Sequence, residues 1–135
     1  MPAILNFIET ALYSALTGNA NLAALTGSQV FDTQAAAGTG GNYVIFQYVS
    51  GGDENTNKRE SVDVVYRVEC ISQVRAQAAA GAGYIHDTLH NGTLNISGWT
   101  AWRVEQERLF NMVEDVLGSM YWRKGGMYRI SIDNE

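Results

Sequence analysis

The chain has 135 residues, with nine Lys and Arg against fourteen Asp and Glu, one Pro, one Cys and a formal net charge of -5. That length fits one domain, and 46% hydrophobic residues suffice to bury a core, which excludes wholesale disorder. One cysteine excludes an intrachain disulfide framework and a multi-cysteine zinc site. No apolar run reaches the roughly 18 residues that a bilayer-crossing helix needs.

A protein that grips phosphates carries a surplus of Lys and Arg. Here acids outnumber bases, and only Lys58-Arg59 and Arg123-Lys124 are adjacent. The balance argues against tight nucleic-acid binding by one copy, but permits a surface past which DNA slides unheld. The opening MPAILNF has no Lys or Arg ahead of its apolar positions and does not read as a signal peptide. The expectation is a soluble intracellular chain with no membrane partner.

The first element is an amphipathic helix: Ile4, Ile8, Ala11, Leu12, Ala15 and Leu16 form one apolar stripe. Pro2 precedes it and Gly18-Asn19 suit its stop. Residues 21–25 read as a short extra turn closed by Thr26-Gly27, and Val30-Phe31 as a short strand. Residues 33–42 are a Gly-rich loop. Tyr43–Ser50, rich in β-branched and aromatic residues, reads as a central strand. Residues 51–58, the most polar stretch, form a loop or hairpin tip without a core former.

The alternation of Val62, Val64, Tyr66, Val68 and Cys70 predicts a strand over Glu60–Ile71 with one buried and one mixed face. A second helix is expected over Gln73–Asn91, its stripe Ala78, Ala82, Ile85 and Leu89; Gly81 and Gly83 imply close packing against a neighbour. Trp99–Phe110 and Tyr121–Ile132 read as strands. In the first, Trp102, Val104, Gln106 and Arg108 share one side and Arg103, Glu105 and Glu107 the other. In the second, Gly125-Gly126 mark a turn or bulge. Between them Met112, Val113, Val116 and Leu117 have the spacing of one helical turn. The expected fold is α+β: two helices packed on one face of a mostly antiparallel four- to five-stranded sheet, in a single domain spanning 1–135.

Candidate chemistry is sparse. His86 and His90 have the i, i+4 spacing of metal ligands, but Asp87 and not Glu follows His86, and the chain has no third His. His90 is explained as a cation at the negative end of the helix macrodipole. Cys70 reads as a core residue. Residues 38–41 lead into a strand, not a helix, so they are no phosphate cradle. Glu105 and Glu107, with Glu114-Asp115, can serve as paired acids, yet a solvated strand face paired to Arg103 and Arg108 accounts for them. Trp99, Trp102 and Trp122 suit sheet edges or a subunit contact. No catalytic constellation, cofactor site or metal site emerges, and the chain is read as a non-enzyme. The alternative from another class is a small hydrolase or ligand-binding domain using Cys70, His86 and His90.

The order of elements resembles the phage tail completion, or tail terminator, family. The resemblance rests on Ala11–Leu16, then Asn21-Leu22-Ala23-Ala24-Leu25-Thr26-Gly27, the strand Gln29–Asp32, and Tyr43-Val44-Ile45-Phe46. It continues through Ser61–Cys70 leading into the helix that ends at Leu89-His90, and closes with Tyr121-Trp122-Arg123 and Met127–Ile130. Asn42 stands where the family often has Pro, and the closing segment lacks a frequent Asp-Gly turn. The resemblance implies a structural virion protein without catalytic residues. Such proteins form a hexameric ring at the head-proximal end of a long tail, which caps the tail tube, ends its polymerisation and joins tail to head. The implied partners are further copies of the chain, the tail tube protein, head-completion or connector proteins, and double-stranded DNA passing through the lumen without specific binding. The nearer alternative is a head-closure or connector protein of the virion neck. The residues expected at partner contacts or the lumen are Asp53, Glu54, Lys58, Glu105, Glu107 and Arg123.

Overall fold

The computed structural model describes residues 2–35, 40–53, 61–96 and 98–134. The amphipathic stripe at the start forms helix α1 (Pro2–Gly18), which buries Ile8, Leu12 and Leu16 completely. Asn19 does more than stop it. Its side chain accepts the Leu22 N–H at 3.0 Å and so caps a separate helix α2 (Ala20–Thr26). Gly27 closes α2 at φ 63, its N–H bonded to the Ala23 carbonyl. The expected single turn is therefore a third helix.

Strand β1 (Val30–Asp32) runs parallel to β2 (Tyr43–Asp53), which pairs antiparallel with β3 (Ser61–Ser72). Helix α3 (Arg75–Leu89) follows, then the two-residue β4 (Asn95–Ile96), β5 (Trp99–Val116) and β6 (Ser119–Asn134). The described residues make one sheet of six strands in the order β1-β2-β3-β6-β5-β4. The sheet is thus mixed and larger than the expected four to five strands, because β1 joins in parallel and β4 adds a short edge.

β2 also overruns its expected end. Gly51, Gly52 and Asp53 pair with Val64, Asp63 and Val62, after a bulge between Tyr48 and Ser50. The first residues of the presumed loop are therefore strand. Glu54 and Lys58, with the rest of that stretch, lie outside the described residues, as do residues 36–39 of the Gly-rich loop.

The core lies between the helices and one sheet face. Val62, Val64, Tyr66, Val68 and Cys70 of β3 and Tyr128, Ile130 and Ile132 of β6 meet Ile8, Leu12, Leu16, Ile85 and Leu89. The α3 stripe is Ala78, Gly81, Ile85 and Leu89, with Gly81 in place of the expected Ala82. A Cβ on Gly81 would collide with the Cys70 side chain, so the glycine is what lets α3 lie on β3; Gly83 faces open space and plays no such part. The buried Tyr66 hydroxyl donates to Glu9 at 2.9 Å, which leaves no orphaned phenol in the core. Asn42 donates to the Leu25 carbonyl (3.2 Å) and to Gln77 (2.8 Å), tying the entry of β2 to α2 and α3.

The largest departure is at the end of the chain. The stretch with helical spacing, Met112 to Leu117, is strand: β5 continues to Val116 and turns at Leu117-Gly118 directly into β6. Both turn residues have positive φ, 52 and 86, as the tight two-residue hairpin requires. The Asp115 side chain accepts the Gly118 N–H at 3.0 Å. Gly125 and Gly126 are neither turn nor bulge. They sit in continuous register between β3 and β5, and a Cβ on Gly125 would strike the Val68 backbone.

Candidate functional site

Two features lie outside what the core needs: the sheet face turned away from the helices, and the far half of the β5–β6 hairpin. On the first, strand alternation sets Asp63, Arg67 and Glu69 of β3 beside Arg123 and Arg129 of β6. Glu69 is 0% exposed. It accepts the Arg123 Nε–H at 2.7 Å together with a second, shorter bond from the same guanidinium. Arg67 Nε lies 3.1 Å from its other oxygen, held by charge and not by a directed hydrogen bond. Arg123 also reaches Glu114 at 3.4 Å, and the Arg67 guanidinium rests on the Phe110 ring and donates to Gln47.

A second cluster centres on Asp63. It takes Arg129 at 2.9 Å and Arg103 at 3.4 Å, with the Ser131 hydroxyl at 3.3 Å. Arg129 also binds Glu107, and Arg103 pairs with Glu105 at 3.7 Å. The bonds to Glu107 and Asp63 push the Arg129 guanidinium further up from its already high value, so it stays charged. Across the two clusters five carboxylates meet four guanidiniums. The face is close to neutral and its charges are spent on one another.

The expected contact residues therefore divide. Glu105 and Glu107 come together in the Asp63 cluster, Arg123 stands in the Glu69 cluster, and Asp53 lies at the end of β2. Glu107 pairs with Arg129 and not with Arg108, as a bulge between Gln106 and Arg108 shifts the ladder there. A second bulge, between Ala101 and Arg103, takes Trp102 off the side it was expected to share with Val104 and leaves it 59% exposed.

The histidines are not a metal pair. Their rings stack 4.5 Å apart and nearly parallel, so they do not converge on an ion. His86 Nδ1 is 2.9 Å from Gln106 Oε1, and His90 Nδ1 accepts the Gln106 backbone N–H at 3.1 Å. His90, the C-cap of α3, is therefore also a hydrogen-bonding cap on the edge of β5. Among the described residues no three His, Cys, Asp or Glu group as metal ligands.

Cys70 is fully buried and burial pushes its thiol up to about 12. A thiol so protonated is no nucleophile at neutral pH. Iodoacetamide at pH 8 is expected to leave the native protein unmodified and to label one site after unfolding; labelling of the folded chain, read by intact mass, would contradict this burial. A concavity of about 520 Å³ between Thr93 and Ala101, lined also by Leu94, Ile96 and Trp99, carries no ionisable side chain. No described helix is long and apolar enough to cross a membrane.

The hairpin is the feature that sequence reasoning missed. Leu109, Met112, Val113, Val116, Leu117 and Met120 account for six of the twelve exposed large hydrophobic residues among the described residues. Leu109 is 79% and Leu117 fully exposed. Leu117 also holds a left-handed backbone, which costs a side chain with a Cβ about 1–2 kcal/mol. An apolar residue in solvent at that cost is one that the core of a single copy does not account for.

A profile of the family described as tail completion protein gp17 matches residues 10–132. The chain belongs to that family. Membership makes it a structural protein of a virion tail. Among solved structures, a chain from the virion of a native gene transfer agent particle superimposes with a TM-score of 0.80 at 21% identity, over 98% of both chains. A second solved chain matches with a TM-score of 0.60 at 14% identity, over 97% of this chain and 95% of its own. At these identities the likeness establishes a shared fold. No curated protein matches the sequence. The family match agrees with the absence of catalytic residues expected from the sequence, and it gives the neutral face and the bare hairpin a context in assembly.

Proposed function

We propose that the chain is a tail terminator: copies close into a hexameric ring at the head-proximal end of the tail, cap the tube, end its polymerisation and join it to the head. The observation that carries this reading is the long β5–β6 hairpin with its exposed apolar row, which serves no purpose in an isolated copy. A head-to-tail contact closes into a ring when its rotation closes. The solved relative comes from an assembled particle, in keeping with the same kind of work here.

The face bearing Glu105, Glu107 and Arg123 suits a lumen through which double-stranded DNA passes. Its guanidiniums are already bound to carboxylates, so few are free to hold phosphates. Asp53, Glu54 and Lys58 fall at and beyond the end of β2, where they would meet the tube protein or a head-completion protein. The protein would reside in the virion after synthesis in the host cytoplasm. It needs no cofactor for this work.

Native mass spectrometry of the purified chain, with electron microscopy of particles assembled without it, tests the proposal. The expected results are six-fold species, and tails of uncontrolled length that fail to join heads. Normal tails on filled heads in its absence would overturn it.

A further inference from the structure

The sheet has two long stretches of strand with nothing beside them, one on each side. On one side β1 covers β2 only at Val44–Phe46, so Gln47–Asp53 has no outer strand among the described residues. On the other side β4 covers only Trp99 and Thr100 of β5. The next positions are capped from α3: Asn91 N–H donates to the Val104 carbonyl at 2.7 Å, and His90 takes the Gln106 N–H. Beyond Gln106 the caps stop, and Arg108–Val116 runs on with no outer strand among the described residues.

The distal part of β5 carries Leu109, Val113 and Val116, all exposed, and Leu109-Phe110-Asn111-Met112-Val113 has no charge and no proline. This apolar stretch is bounded by the bulge after Gln106 with Arg108 on one side and by Glu114-Asp115 on the other. The β2 edge likewise has a bulge at Val49, with the Tyr48 hydroxyl on the Gly51 carbonyl (2.5 Å), beside exposed Tyr48 and Val49. The two uncovered stretches lie on opposite sides of one sheet and are of comparable length, so that copies can join head to tail.

We infer that the outer edge of β5 beyond Gln106 in one copy pairs with the outer edge of β2 in the next, joining neighbouring sheets into one continuous band. The occupant is a second copy of this chain because the same molecule supplies a second uncovered edge, with exposed apolar side chains, on its opposite side. Such a contact is head-to-tail, which is the type that rings need. Main-chain hydrogen bonds supply the register, and Leu109, Val113, Tyr48 and Val49 supply the apolar contact. This inference rests on the ring reading and names its contact.

The sole native cysteine is buried, so engineered pairs report cleanly. The test combines Val49→Cys with Leu109→Cys, and separately with Val113→Cys, in the full chain under mild oxidation. Non-reducing gels should show a ladder of linked copies that ends at the closed ring for at least one pair, while Val113→Cys alone gives no ladder. A charge pair adds a second readout. Val113→Lys and Val49→Glu should each release monomers with an unchanged melting curve, and the two substitutions in one chain should restore the ring. A parent protein that is six-fold by mass, yet shows neither cross-link nor rescue, overturns the strand pairing and leaves the ring. Cross-linking of Val113→Cys to the tube protein alone also overturns it. A monomeric parent sinks the ring reading and this inference with it.

Discussion

Replacing Leu12 by Asp is expected to leave the protein unfolded. Leu12 is completely buried in the middle of the α1 stripe, against the helix-facing side of the sheet. The substitution deletes its apolar contacts, which cost about 2–5 kcal/mol when lost, and forces a carboxylate to stay unpaired or to take a proton. Natural domains hold only about 5–15 kcal/mol in all. Far-ultraviolet circular dichroism should show loss of the cooperative transition. A melting curve like that of the parent would mean that α1 does not pack as described.

The second large effect is expected at Arg123. Truncation to Ala strands Glu69, which is fully buried, with only the misaligned Arg67 beside it. Breaking a buried ion pair from one side costs about 3–5 kcal/mol. Arg67 remains and Arg123 is itself partly exposed, so the lower end applies: about 3 kcal/mol, or a midpoint lowered by about 10 °C. Replacing both partners, Glu69→Met with Arg123→Met, should recover most of that loss, because no uncompensated carboxylate is then left inside. Urea titration of the two variants decides the matter. Equal losses in both would show that the pair acts through packing and not through charge.

Much of this architecture was legible from side-chain periods. Ile8, Leu12 and Leu16 announced α1, and the five alternating residues from Val62 to Cys70 announced both β3 and the face that the helices cover. The hairpin was not legible, for two physical reasons. Met112, Val113, Val116 and Leu117 repeat as a helix would, and their exposure removes the one-sided alternation that burial imposes on a strand. The turn gave little away, since such turns favour Asn-Gly or Asp-Gly and this one has Leu117-Gly118. The ionic face was half legible. Arg103, Glu105, Glu107 and Arg123 were visible as charges, but the partners Asp63 and Glu69 come from β3, far away in the chain, and Arg129 comes from across a hairpin that was not foreseen. Two bulges on β5 reset which of its residues share a side. The bond that His90 makes to β5 was not legible because its partner, the Gln106 N–H, belongs to the backbone and leaves no mark in side-chain patterns.

The place of β6 has a consequence for how the protein is made. It comes late in the chain, yet it lies in the middle of the sheet, between β3 and β5. A chain emerging from the ribosome at about 5–20 residues per second has its helices and β1–β3 available well before that strand. Until β6 arrives, β3 has β2 on one side only, and β5 has no strand to pair with except the two residues of β4. The nascent protein therefore cannot close its sheet. Emergence of β6 becomes the event that completes the fold, and a chain cut short before β6 cannot form the native sheet.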